Sequence, residues 1–241
     1  MSLSKNHLKL ITSLQQKKYR QKHKLFVAEG VKVVAELLNS DFKAHQLFCV
    51  DDYSTSISDE KIVQISSVDL KKISQLKTPN KVVGLFEIPT EKTTETQGLL
   101  LALDDINDPG NLGTIIRLCD WFGITQLICS KNTVDCYNQK VVQASMGSLT
   151  RVQISYVDVL SFLETTKLPT FIADMDGKNV YTSKLPKEGI LIMGNEANGI
   201  SKEIENIVTN KLSIPRFGIS QQTESLNVAT ATAILLSEFR R

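Results

Sequence analysis

What the chain lacks narrows its reading first. Its 241 residues include four cysteines, Cys49, Cys119, Cys129 and Cys136, and no two of them form a C-x-x-C pair. A zinc ribbon or a thioredoxin-type redox site is therefore not readable. The three histidines, His7, His23 and His45, do not sit at metal-ligand spacing, so no metal is expected. Scattered thiols without a disulfide framework fit a reducing, cytoplasmic setting. Apolar runs such as 99–103 and 233–236 fall far short of the ~20 residues that span a bilayer. The N-terminus carries charge but no apolar stretch, and a secretory signal is not expected. Metalloenzyme, secreted scaffold and membrane protein are all poor readings.

Acidic residues are also missing from one region. Seven of the 28 basic residues, Lys5, Lys9, Lys17, Lys18, Arg20, Lys22 and Lys24, lie in the first 28 positions, which contain no acid. The other 21 basic residues face 26 acids, so the remainder carries −5 within an overall net charge of +2. Such a run can be a solvated helix face or a patch that neutralises phosphates. Leu8, Ile11 and Leu14 recur at helical spacing, which predicts that the basic segment docks on a core. A docked basic face beside an acidic body points toward nucleic acid, with Lys17, Lys18, Arg20, Lys22 and Lys24 as candidate contacts.

The pattern predicts two α/β domains. Residues 1–89 read as a smaller one, with a helix over 30–39, strands at 46–50, 61–65 and 82–88, and a helix over 69–76. After Pro89, residues 90–97 contain no apolar side chain and read as a linker. Residues 98–241 alternate strand-like runs (98–103, 126–129, 152–157, 170–173, 189–193, 211–214) with helical patterns, including 111–122 and 226–240. That alternation implies a mostly parallel sheet covered on both faces, whose ligands bind beyond the carboxyl ends of its strands.

Three loops at such ends carry the chemistry. In the first, Asp104-Asp105 leads through Pro109-Gly110 to Asn111, read as a helix N-cap, and six residues on stands Arg117. Flanked by Ile115, Ile116 and Leu118, this arginine is expected to be partly buried and paired. The second loop has Gly194 and Gly199 five apart with Ser201 following, but Ile200 stands where a phosphate loop needs lysine. No G-x-G-x-x-G follows a strand either, which argues against an ordinary dinucleotide site. What is left is a glycine-lined loop with Glu196 at its tip. In the third, a strand ends at Ile214-Pro215, and Ser225 is read as opening a helix of small residues, Ala229, Ala231 and Ala233.

Taken in order, Asn111 to Arg117, Gly194-Asn195-Glu196 and Ser225-Leu226-Asn227 resemble the three motifs of the SpoU (TrmH-type) branch of the SPOUT RNA ribose 2′-O-methyltransferases. The run from Tyr19 to Gly30 is similar to the start of that family's N-terminal substrate-binding domain, and Ala229-Thr230 departs from its usual Ser-Val. The resemblance implies a SPOUT fold with a deep trefoil knot, a feature that general chain topology disfavours. It implies S-adenosylmethionine held by Met193, Gly194, Ile214, Pro215 and Leu226, with Asn111, Arg117, Glu196, Ser225 and Asn227 as the catalytic set. It also implies a homodimer with RNA as partner, rRNA ahead of tRNA, and no metal. Arginine stays protonated in proteins, so Arg117 is expected to bind a phosphate and stabilise the developing alkoxide while Asn111 orients the ribose. A catalytically inactive RNA-binding protein and a small-molecule enzyme are the competing readings.

Overall fold

The computed structural model describes residues 3–50, 53, 58–90, 97–218 and 225–241. It divides into two compact units: residues 1–90 with 135–150, and residues 91–134 with 151–241. Most of the expected linker, residues 91–96, lies outside the described residues.

In the first unit, α1 (Lys5–Ser13) and α2 (Lys17–His23) lead into β1 (Leu25–Glu29), α3 (Val31–Leu38), β2 (Ala44–Cys49), β3 (Ile62–Gln64), α4 (Ser67–Ile73) and β4 (Val82–Glu87). The Ser4 hydroxyl caps α1 by accepting from the His7 amide. The helical spacing read in the sequence is realised: Ile11 and Leu14 are buried, and Leu8 packs partly buried on the same cluster with Val27, Phe48 and Leu85. The sheet is mixed, in the order β1-β4-β2-β3. Its first two pairings are antiparallel, and β2–β3 is parallel.

In the second unit, β5 (Leu99–Leu103), α5 (Pro109–Trp121) and β6 (Gln126–Ser130) come first. The chain then leaves for the first unit, where α6 (Gln139–Ser145) lies against β1. It returns as β7 (Gln153–Val157), α7 (Val159–Thr165), β8 (Thr170–Asn179), β9 (Gly189–Met193), α8 (Lys202–Ile207), β10 (Asn210–Ser213) and α9 (Val228–Arg240). All six strands are parallel, in the order β10-β8-β9-β5-β6-β7. Strands β5 and β9 are buried along their whole length, as expected of a sheet covered on both faces. From β5 the chain order runs one way to β6 and β7 and the other way to β9, β8 and β10. The carboxyl ends of β5 and β9 therefore flank the point where the order reverses, the usual place for a ligand crevice in such sheets.

Several boundaries differ from the sequence reading for physical reasons. Strand β8 runs six residues past Ala173, through a polar stretch with no apolar pattern, because β10 pairs with it in two pieces. A side chain at Gly177 would meet the backbone of Leu212 at 2.6 Å, so glycine is required where the register of that pair shifts. The excursion 135–150 is the larger difference. Arg20, only 2% exposed, is not open to a phosphate. Its Nε and Nη2 donate to Asp135 Oδ2 at 2.8 and 2.5 Å, and its Nη1 donates to the carbonyls of Leu14 and Gln15. The buried Glu29 carboxylate accepts from Ser74 Oγ at 2.5 Å and from Gln139 Nε2 at 2.8 Å. Together the two charges fasten the excursion to the first unit.

Candidate active site

The first loop is built around Asp108. Its carboxylate accepts from the Asn111 amide at 2.8 Å and caps α5, with Pro109 at the first helical turn. Asn111 is thus inside the helix and not its cap, which corrects the sequence reading and leaves its side chain available. The side-chain Nδ2 of Asn111 donates to Glu196 Oε1, and its Oδ1 accepts from Asn227 Nδ2 at 2.9 Å. Asn227 is the cap of α9: its Oδ1 accepts from the amides of Ala229 and Thr230 at 3.0 and 3.2 Å. Ser225, read as opening this helix, precedes the cap by two residues.

The direction of this chain follows from its ends. Only an oxygen can face the two amides at the start of α9, so Asn227 turns its NH2 toward Asn111. Asn111 must then offer oxygen to Asn227 and NH2 to the Glu196 carboxylate. One residue from each of the three loops is joined in this way.

The second loop is held as firmly. Asn195 and Gly199 bridge through paired backbone hydrogen bonds of 2.9 Å. The Asn195 side chain accepts from the Ala197 and Asn198 amides and donates to the Asp105 carbonyl at 2.7 Å. Asp104 accepts from the Ser201 amide at 2.8 Å. At Gly194 an added Cβ would sit 2.4 Å from the Gly199 carbonyl carbon, so no side chain fits there. Asp104 and Asp105 directly follow the strand-like run 98–103, and nothing in their local pattern points to these contacts. Asn195 acts across a separation of 90 residues, which local spacing does not reveal.

All five residues assigned to the cofactor, Met193, Gly194, Ile214, Pro215 and Leu226, line one cavity of about 790 Å³ with Glu196 and Ser225. That volume lies within the range of small-molecule sites. Its deeper wall is apolar, from Ile172, Leu212, Val228 and Leu235. Asp174 and Glu205 also line it and share Lys211, whose Nζ is 2.8 Å from Asp174 Oδ2. Hydrogen bonding from Lys211 holds Asp174 below its ordinary pKa, and the two carboxylates raise that of Lys211. The sequence reading missed this triad, since its members come from three separate elements.

Arg117 departs from expectation. It is exposed, and it has no hydrogen-bond or ion-pair partner among the described residues. At about 100° per residue it lies roughly 120° around α5 from Asn111. It falls instead on an exposed stripe with Gly110, Thr114 and Trp121, the last 84% exposed. In the first unit Lys17, Lys18, Lys22 and Lys24 are exposed, and Arg20 is the exception described above. Among the described residues no group of histidines, cysteines and carboxylates is arranged to hold a metal, and no helix is long and apolar enough to cross a membrane.

Comparison with known proteins agrees with this architecture. The chain is 29% identical over 241 residues to the 23S rRNA (guanosine(2553)-2′-O)-methyltransferase RlmP of Bacillus subtilis, covering 94% of this chain and 93% of that protein. It is 31% identical over 160 residues to the mitochondrial rRNA methyltransferase 3 of Xenopus laevis, matching 61% of this chain and 38% of that longer protein. A solved structure from Porphyromonas gingivalis, ascribed to the TrmH family of RNA methyltransferases, superposes with a TM-score of 0.89 at 39% identity, covering 100% of this chain and 99% of that one. An AdoMet-bound rRNA methyltransferase from Sinorhizobium meliloti superposes with a TM-score of 0.86 at 28% identity, covering 100% and 96%. Residues 5–84 match the MRM3-like substrate binding domain. Residues 98–237, more than half the chain, match the SpoU rRNA methylase family, and the chain belongs to that family.

Proposed function

We propose that this protein transfers a methyl group from S-adenosylmethionine to a ribose 2′-hydroxyl of RNA, with rRNA the substrate ahead of tRNA, and that it works as a homodimer in the cytoplasm. The observation that carries the reading is the Glu196–Asn111–Asn227 chain joined to a 790 Å³ cavity beyond the β5 and β9 carboxyl ends. The cavity suits the cofactor chemically. Its apolar wall fits an adenine, backbone groups of residues 193–194 and 214–215 can read the ring edge, and the Glu196 carboxylate in its lining suits a cofactor that carries positive charge.

When bound, the cofactor supplies an electrophilic methyl on a positively charged sulfur. The remaining work is the protein's. Asn111, held on both sides, is placed to orient the ribose, and orientation alone accounts for a large part of such rate enhancements. The 2′-hydroxyl is a poor acid, so the site must stabilise negative charge on its oxygen as its proton passes to solvent water. Arg117, permanently protonated, suits that task and the binding of an adjacent phosphate.

Its exposed position on α5 supports the dimer. A symmetric pairing across the Gly110–Thr114–Arg117–Trp121 stripe would carry Arg117 of each protomer into the site of the other. Tryptophan is among the residue types enriched in the hot spots near the centre of such interfaces. The deep knot implied by family membership belongs to the same proposal.

The experiment offers methyl-labelled cofactor with unmodified rRNA, tRNA and DNA of matching sequence. Label in rRNA, with none in DNA, is expected, since only RNA has the 2′-hydroxyl. Label in tRNA alone would correct the substrate class. Cofactor binding without label in any RNA would contradict the enzyme reading.

A further inference from the structure

The basic lead segment has one feature that charge does not explain. Helix α2 carries two aromatic rings among its lysines. Tyr19 and His23, one turn apart, stack with ring centroids 6.5 Å apart and planes 24° from parallel, and Lys18 Nζ lies 4.9 Å from the Tyr19 ring centre. Arg20 faces inward and is buried. At about 100° per residue, this puts Lys18 and Lys22 on the opposite crest and Tyr19 and His23 along one flank between crest and core. His23, Lys18 and Lys22 are exposed, and Tyr19 is half-buried. Lys24 is exposed at the left-handed turn that ends the helix.

A partly anchored aromatic stack bordered by lysines offers a nucleotide contacts for both its base and its phosphate. Phosphates are neutralised by the amines, and an unstacked base gains a ring face on which to lie. Duplex RNA offers the phosphates but no free base face, because its bases are already stacked. We infer that the α2 flank, Tyr19 and His23 with Lys18 and Lys22, is a stacking site for an unpaired RNA base, so that the first unit selects single-stranded or looped RNA over duplex. This rests on the RNA-substrate reading above and sharpens it. An anionic surface of any other kind would use the lysines and leave the rings idle.

The test uses the full-length protein and a 12-nucleotide single-stranded RNA with a central 2-aminopurine, alone or annealed to its complement, titrated at several KCl concentrations. Tyr19→Leu and His23→Leu should each weaken single-strand binding about 5- to 50-fold, remove the quenching of 2-aminopurine, and leave the salt slope and duplex affinity unchanged. Tyr19→Phe should bind like wild type, which separates loss of the ring from loss of folding. Lys22→Gln should lower the salt slope by about 0.7 and leave the quenching in place. If the leucine variants bind single strands as wild type does, or lose single-strand and duplex binding equally, the stacking site is overturned and only a charged patch remains. If wild type binds neither RNA at any salt, the underlying RNA reading fails instead.

Discussion

Asn227 performs two tasks that can be separated by one atom. Its oxygen caps α9, and its NH2 fixes the Asn111 amide. Asn227→Asp keeps an oxygen for the Ala229 and Thr230 amides, and aspartate caps as well as asparagine. Its charge also suits a helix N-terminus. Folding stability should therefore hold, with Tm within ~2 °C of wild type. The donor to Asn111 is lost, however, and two oxygens now face each other. If the Asn111 amide turns to relieve that contact, its own oxygen meets the Glu196 carboxylate, so one repulsive pair persists either way. The bond lost joins two neutral amides and contributes roughly 0.5–1.5 kcal/mol. Expressed at the transition state, that is about a 2- to 13-fold fall in kcat/KM. Asn227→Ala removes both functions, with a similar loss of activity and a stability cost of about 1 kcal/mol, or a Tm lower by about 2–4 °C. The assay pairs labelled methyl transfer with thermal melting. Wild-type activity in Asn227→Asp would refute the positioning role, and activity loss matched by an equally lowered Tm would reduce the network to structure.

Other predictions follow from the same contacts. Gly194→Ala forces a methyl to within 2.4 Å of the Gly199 backbone; cofactor binding by calorimetry should fall at least tenfold while both sheets stay folded by circular dichroism. Arg20→Met strands the Asp135 carboxylate without its guanidinium, and breaking such a buried pair costs about 3–5 kcal/mol, to be read from denaturant unfolding. A loss under 1 kcal/mol would show that the pair does not fasten the excursion. Arg117→Lys should retain partial activity at neutral pH with no rise as the lysine deprotonates; a rate that recovers only at high pH would make residue 117 a base. Trp121→Ala should shift the protein toward monomer in sedimentation at micromolar concentration.

The sheet was largely legible because buried strands of a parallel sheet are short apolar runs, and β9 appears at the predicted residues 189–193. The five cofactor residues were legible only through the motif resemblance, yet they line one cavity. Helix starts were less so. Asp108, Pro109 and Asn111 all suit the beginning of α5, and local preference does not decide which of them caps it. The apolar neighbours of Arg117 suggest a partly buried side chain, but the structure exposes it. Helical rotation buries Ile115 and Ile116 and carries residue 117 round to the solvent side. The Arg20–Asp135 pair spans 115 positions. A single sequence does not reveal such a pairing, and with it the assignment of residues 135–150 to the first unit stayed hidden.

The most direct test of the account is where the methyl group goes and which protomer supplies each residue. Arg117→Ala and Glu196→Gln, each inactive alone, are mixed, reassorted and assayed on unmodified rRNA, and the labelled product is hydrolysed in alkali. If Arg117 serves its partner's site, half of the dimers are mixed and each has one complete site, giving about a quarter of wild-type activity. The label should then reside in alkali-resistant dinucleotides. Label in a base, or no activity in the mixture when wild type is active, would contradict the account.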